Sequence, residues 1–228
     1  DAIAALQLAE SDNAAAWVLS LPQDEDNAPA IADETLHHMA LSSRFDTHAI
    51  DVAATMLDAM QGVPIPQAYV DNLRDPSGRT FSQQEAKKAI AFSVKAALAT
   101  PALGGLLRAC KPGSDGAIDA TRREDCIATG HLLVQKSTET IGLKLGDSIL
   151  RALDARDAAD ADRVTRAMWW EQVSIAQEQR LGDGGYLDDF LAHGDEIAAL
   201  RSLAERLGKT EPPANWSESA RVFAHAKS

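Results

Sequence analysis

The chain has 228 residues, of which 45% are hydrophobic, so it can bury a sizeable core and wholesale disorder is excluded. Its net charge of −12 and pI near 4.9 exclude nucleic acid and anionic lipid as expected partners, because such a surface repels phosphate groups. Only 5% of the residues are aromatic and alanine is abundant, which predicts an all-α fold of closely packed helices, an irregular bundle or a short solenoid-like stack.

The first sixty residues predict four helices separated by short loops. The helical patterns cover residues 1–10, 13–21, 29–41 and 47–60. Pro22 ends the second helix, and Gly62 ends the fourth. An acidic loop follows Pro22 and contains Asp24, Glu25 and Asp26, which we predict to bind a protein partner of basic character.

The helix pair on either side of this loop resembles the repeat unit of tetratricopeptide proteins. Asn13, Ala16 and Trp17 carry the resemblance, which covers about one repeat. The glycine and tyrosine of the usual W-x₂-L-G-x₂-Y pattern are absent, and no second copy follows. The whole chain resembles the uncharacterised, alanine-rich exported helical proteins of bacteria in style, which implies a bacterial, exported protein.

Residues 62–80 interrupt the helical pattern with prolines at 64 and 66 and the turn sequence Asp75-Pro76-Ser77-Gly78. A short helix, 66–73, is expected between these breaks. We predict a single helical domain over residues 1–228, with this stretch as the place for a possible subdivision. The sequence from Ser82 to Glu85 is a capping box that predicts a helix to about residue 100, and Pro101 begins the next.

The stretch of about 119–153 predicts a long central helix. Apolar residues recur there at spacings of four and seven, from Ile127 to Ile149, and no proline interrupts them. Such a helix would be about 50 Å long at 1.5 Å per residue, so its neighbours would pack along it. A break near Gly130 or Ser137 is the competing interpretation.

Three glycines, Gly130, Gly142 and Gly146, lie inside this stretch. Each costs about 1 kcal/mol relative to alanine in a helix interior, so their presence predicts that another helix approaches closely at this point.

The two cysteines, Cys110 and Cys126, are separated by a turn-rich loop between two predicted helices. We predict that they form a disulfide, and two unpaired buried thiols are the alternative. The chain begins at Asp1 instead of methionine, so we expect a processed product. Both observations predict a periplasmic or secreted protein.

Beyond the central stretch, residues 153–163 are charged and predict an exposed turn. Four helices are then expected, at about residues 164–179, 186–193, 195–207 and 216–226. The first of them carries Trp169 and Trp170, side by side in the sequence. We predict core packing for this pair, and contact with a partner is the alternative.

Glu34, His38 and His48 are the best candidates for metal ligands in the sequence, because carboxylate and imidazole side chains lie close together there. Glu34 and His38 are four residues apart on one predicted helix, and His48 could face them from the next. No established zinc motif contains this spacing, so the sequence predicts neither a metal site nor a cofactor.

No nucleophile motif, phosphate-binding loop or dinucleotide signature occurs in the chain, and no window is apolar enough to predict a membrane span. The sequence therefore predicts a non-catalytic exported protein that acts by protein–protein contact, such as an inhibitor or immunity protein against a secreted toxin or lysozyme-like enzyme. A helical hydrolase using the Glu34, His38 and His48 cluster and a helical-repeat scaffold are the alternatives.

Overall fold

The computed structural model describes residues 2–22, 29–74, 78–99, 103–113, 116–181 and 186–216. Within these residues the regular structure is helical and no strand occurs, which confirms the all-α prediction. The helices are α1 (Ala2–Ala9), α2 (Ala14–Val18), α3 (Pro29–Leu41), α4 (Ala49–Ala59), α5 (Gln67–Val70), α6 (Gln83–Ala99), α7 (Leu103–Ala109), α8 (Ala120–Lys136), α9 (Thr140–Ala152), α10 (Ala158–Leu181), α11 (Tyr186–His193) and α12 (Glu196–Arg206). None of these described helices combines the length and apolar character that crossing a lipid bilayer demands.

Two compact units make up the chain, and each is assembled from separate stretches of sequence. Unit 1 comprises Asp1–Ala49 and Lys95–Ala161, and unit 2 comprises Ile50–Val94 and Asp162–Ser228. The segment 62–80, where a subdivision was considered, lies inside unit 2. The division follows contacts between helices that are distant in sequence. A break in the local sequence pattern gives no information about such contacts. A single cooperative domain stays a prediction, since two compact units can still unfold together.

Unit 1 is a bundle in which five helices form a closed series. α2 packs on α3, α3 on α8, α8 on α9, α9 on α7, and α7 returns to α2. The buried side chains that these helices and their connections share include Ala14, Val18, Leu36, Met39, Phe45, Leu106, Cys110, Cys126, Leu133, Leu145 and Ile149. Because the series closes on itself, unit 1 is a bundle and not an open solenoid, whose repeats contact only their sequence neighbours.

The continuous helix predicted for about 119–153 is wrong, because the chain breaks between α8 and α9 at Ser137. The backbone there is extended, with φ −66° and ψ 136° at Ser137 and φ −122° and ψ 144° at Glu139. The Ser137 hydroxyl donates to the Glu139 carbonyl at 2.9 Å and accepts from the Glu139 N–H at 3.2 Å. A serine hydroxyl that bonds the backbone two residues further along the chain competes with helical hydrogen bonds, so the helix ends and α9 folds back on α8.

The close helix crossing predicted from the glycines is confirmed, and the two helices that cross are the two halves of the predicted long helix. A Cβ atom added to Gly146 would lie 2.6 Å from the carbonyl oxygen of Gly130 and 2.9 Å from the amide nitrogen of Val134. A Cβ atom added to Gly130 would lie 2.9 Å from the side chain of Leu150. The backbones of α8 and α9 therefore touch where both lack side chains.

The predicted disulfide is present. Cys110 follows the last residue of α7, Cys126 lies in α8, and their Cα atoms are 5.6 Å apart. Both residues are buried in the core of unit 1. Asp119 caps α8 by accepting hydrogen bonds from the N–H groups of Thr121 and Arg122, at 3.0 and 3.1 Å. The cap sets the start of α8, and the disulfide ties this helix to α7.

The exposed turn predicted for 153–163 is wrong in its second half, because α10 begins at Ala158. The Asp157 carboxylate accepts a hydrogen bond from the N–H of Asp160 at 2.8 Å, which is the bond an N-cap makes with the third residue of a helix. Three of the first four residues of α10 are alanine, the strongest helix former, so a charged sequence still becomes helical.

Unit 2 contains α5, α11 and α12, together with α4 from Ile50, α6 up to Val94 and α10 from Asp162. Within it, α11 and α12 pack against each other. Phe190 of α11 is fully buried, and its ring lies 4.9 Å from that of Phe92 in α6. Lys88 on α6 also forms an ion pair with Asp188 on α11. An apolar contact and an ionic contact therefore join the same two helices.

The predicted capping box begins α6. The Ser82 hydroxyl accepts from the Glu85 N–H at 3.2 Å, and the Glu85 carboxylate accepts from the Ser82 N–H at 2.7 Å. Arg79 adds two hydrogen bonds to the same carboxylate, at 2.8 and 3.1 Å. The Arg79 hydrogen bonds, followed by those from Ser82, lower the pKa of Glu85 from 4.5 to about 2.

We expect Glu85 to stabilise the fold above about pH 4.5, and this contribution to be lost as the pH falls from there towards 2, because the folded state holds the ionised form. Glu85→Gln should lower the free energy of unfolding by about 1 kcal/mol at pH 7, since the site is partly exposed to solvent. The loss should be smaller at pH 3. Urea titrations of both proteins at the two pH values measure this, and an equal loss at both would contradict it.

Candidate functional site

The acidic loop predicted to bind a partner joins α2 to α3. Its three residues, Asp24, Glu25 and Asp26, lie outside the described residues. Their binding role stays a prediction that rests on their charge.

Trp169 and Trp170 are both half-buried on α10 and contact a segment of unit 2 that follows α12. The indole N–H of Trp169 donates to the carbonyl of Lys209 at 2.7 Å, and that of Trp170 donates to the carbonyl of Thr210 at 2.8 Å. Trp216 packs edge-on against Trp169, with ring centroids 6.0 Å apart. Both indole N–H groups thus donate hydrogen bonds within the protein. A partner could therefore contact only the exposed parts of the two rings.

Two of the three candidate metal ligands near the N-terminus, His38 and His48, contact other side chains. Glu34 is exposed on α3, and the His38 ring stacks on Trp17 with centroids 3.9 Å apart and planes 9° from parallel. The Nε2 atom of His48 lies 2.8 and 2.9 Å from the two carboxylate oxygens of Glu10. Within the described part of the chain, Glu34, His38 and His48 do not form a metal-ligand group.

A different trio brings ligand atoms together. His131 lies on α8, Asp157 caps α10, and Asp160 lies in the first turn of α10. One ligand atom from each residue lies within 4.8 Å of the other two. Among the described residues, this trio is the group of His, Cys, Asp or Glu side chains close enough together to hold a metal ion. All three belong to unit 1.

The three side chains differ in exposure. The Asp160 side chain is completely buried, whereas that of His131 is 30% exposed and Asp157 is exposed. The Nδ1 atom of His131 lies 2.7 Å from the Asp160 carboxylate, and the Gln135 amide donates to the other oxygen of this carboxylate at 3.5 Å. The trio therefore has a buried carboxylate at its base and a histidine and a second carboxylate at its solvent side.

Hydrogen bonds hold the Asp157 carboxylate in place. The N–H of Asp160, followed by that of Ala159, lowers the pKa of Asp157, so this group is ionised at neutral pH. Arg156 precedes it in sequence but points to another partner, since its guanidinium lies 2.6 Å from Asp147. Arg156, the arginine next to the trio in the sequence, thus pairs with a carboxylate outside the trio.

Sequence reasoning missed this trio. The only local signal is the pair Asp157 and Asp160, whose spacing is that of an N-cap and the third residue of a helix. His131 lies more than twenty residues earlier, on a helix whose packing no local pattern predicts.

The chain was also compared with known proteins by sequence and by fold. No protein-family model, curated protein or solved structure matches it.

Proposed function

We propose that this protein is an exported, non-catalytic binding protein, an inhibitor or immunity protein that blocks a basic secreted toxin or lysozyme-like enzyme. The observation that carries the proposal is the concentration of negative charge in the first 49 residues.

Residues 1–49 contain nine acidic residues and a single basic one, Arg44, so their net charge is −8 out of −12 for the whole chain. Arg44 is shared among three carboxylates, at 3.3 Å from Glu10, 3.4 Å from Asp12 and 3.7 Å from Asp46. One guanidinium cannot neutralise three acids. A surface of this kind attracts a cationic protein and accelerates its association.

The same part of unit 1 exposes large apolar side chains. Leu8 is 85% exposed, Leu41 is 71% exposed and Ile31 is 51% exposed. Leu19, at the end of α2, is also exposed. Protein interfaces combine an apolar centre with a polar, charged rim, and the first 49 residues supply both kinds of side chain that contact with a basic partner needs.

Export is supported by the disulfide. Cys110 and Cys126 are paired, and structural disulfides persist in oxidising compartments such as the periplasm and the extracellular space. The resemblance of the sequence to exported, alanine-rich bacterial proteins points the same way.

We expect binding to a cationic lysozyme-type enzyme to depend on the acidic loop between α2 and α3. The triple variant Asp24→Asn, Glu25→Gln, Asp26→Asn should slow association about tenfold, because steering depends on charge near the contact. A matched control removes three acidic residues of unit 2, with Asp51→Asn, Asp58→Asn and Asp71→Asn. Both variants have the same net charge, so only the position of the lost charge differs.

Surface-plasmon measurements of association rates, together with assays of residual cell-wall hydrolysis, give the two readouts. Association should also slow as salt rises from about 0.1 to 1 M, which shortens the screening length from about 10 to 3 Å. Binding without inhibition would reject the inhibitor role. Equal rates for both triple variants, or no salt dependence, would reject the acidic segment as the binding site.

A further inference from the structure

We propose that His131, Asp157 and Asp160 form a binding site for a divalent transition-metal ion of the zinc type. The inference is independent of the proposed partner, since it rests on the meeting of α8 with the start of α10.

The donor set suits such an ion. Zinc binds imidazole nitrogen at about 2.0–2.1 Å and carboxylate oxygen at about 2.0–2.2 Å, so two ligand atoms on one ion lie about 3–4 Å apart. Ligand atoms of the trio already lie within 4.8 Å of one another, and the shortest separation, from His131 to Asp160, is 2.7 Å. Small side-chain adjustments bring all three into bonding range. Three protein ligands leave a fourth position for water on the exposed side.

The charges of the site also suit a cation. Burying an ionised carboxylate costs several kcal/mol unless a charged partner or hydrogen bonds compensate it. Within the described residues, the buried Asp160 carboxylate faces His131 at 2.7 Å, the Gln135 amide at 3.5 Å and the side chain of Asp157. Two carboxylates and an imidazole thus converge on one point, and such a donor set attracts a divalent cation.

The exposure of the ligands provides an entry path. Asp157 is exposed and His131 is partly exposed, so an ion from solvent meets these two groups before it reaches the buried Asp160. Because His131 belongs to α8 and the two aspartates to the start of α10, the bound ion would cross-link these two elements. Metal binding would therefore also stabilise the folded protein.

Calorimetric titration of the tag-free, oxidised full chain with zinc chloride at about pH 7.5 tests the proposal, since metal affinity falls at lower pH, where protons compete with the metal for its ligands. We expect one ion per chain with micromolar or tighter affinity, and a higher melting temperature when zinc is present. Cobalt(II) should occupy the same site and give a visible absorption spectrum typical of nitrogen and oxygen ligands.

Three variants locate the site. His131→Gln should abolish binding. Asp157→Asn should weaken it at least about tenfold without harming the fold, because asparagine caps a helix as well as aspartate does. The control is His37→Gln, because His37 forms another histidine–aspartate pair, 3.4 Å from Asp125. This variant should bind zinc as tightly as the wild-type protein does.

The alternative is that His131 and Asp160 contact each other at 2.7 Å and bind no metal. In that case the titration would show no heat of binding at zinc concentrations up to about 100 μM, and the proposal would be rejected. Binding that survives His131→Gln would place the ion elsewhere and reject it as well. Circular dichroism of each variant separates loss of the site from loss of the fold.

Discussion

Gly146→Ala should lower the free energy of unfolding by about 3 kcal/mol or more, although alanine is the better helix former by about 1 kcal/mol. The new methyl group would lie 2.6 Å from the Gly130 carbonyl oxygen and 2.9 Å from the Val134 amide nitrogen. Both are backbone atoms of α8, which cannot rotate away as a side chain can. The two helices must separate, and the core between them loses contacts. Urea unfolding followed by circular dichroism measures the loss.

The matched control is Gly104→Ala, the same substitution in α7. There the added methyl group would meet only the end of the Arg108 side chain, at 3.3 Å, and this exposed group can move. Stability should stay the same or rise slightly, because the conformational freedom of the unfolded chain is reduced. If Gly146→Ala were as stable as Gly104→Ala, the close contact between α8 and α9 would be wrong.

Reduction of the disulfide should lower the free energy of unfolding by about 3 kcal/mol, which is the value expected for opening a loop of about 15 residues. The two cysteines are 16 residues apart and both are buried, so the reductant must act on the unfolded protein. Urea titrations with and without dithiothreitol, each brought to equilibrium, measure the difference. Intact mass should show that each sulfur gains one hydrogen on reduction.

The double variant Cys110→Ala, Cys126→Ala provides the control for reductant effects on other parts of the protein. Its stability should not depend on dithiothreitol, because it has no disulfide to reduce. Wild-type protein that is equally stable under both conditions would show that the cross-link adds nothing, and that packing alone holds α7 to α8.

Several helix starts could be predicted because the signals for them are local. The capping box from Ser82 to Glu85 begins α6 as predicted, and the helix predicted from about residue 119 begins at Ala120, where Asp119 caps it. Pairing of Cys110 and Cys126 was also within reach, since a short connection between two helices keeps their ends close. In each case the residues that decide the structure are near one another in the chain.

The long helix failed for a related reason. Apolar spacing continues through Ser137 because both α8 and α9 present an apolar face to the same core. The periodicity of apolar residues shows which side chains share a helix face, but it does not show where the chain reverses direction. The glycines did indicate a close crossing, but they could not show that the partner helix was the continuation of the same stretch.

The sequence by itself determined that the chain is helical, where many of its helices begin and that its cysteines can pair, because periodicity, capping and short loops act over a few residues. Only the tertiary structure decided that the chain reverses at Ser137, that Gly146 meets Gly130, and that His131 meets Asp160. These contacts join residues far apart in sequence, and their positions depend on how whole helices pack around a shared core.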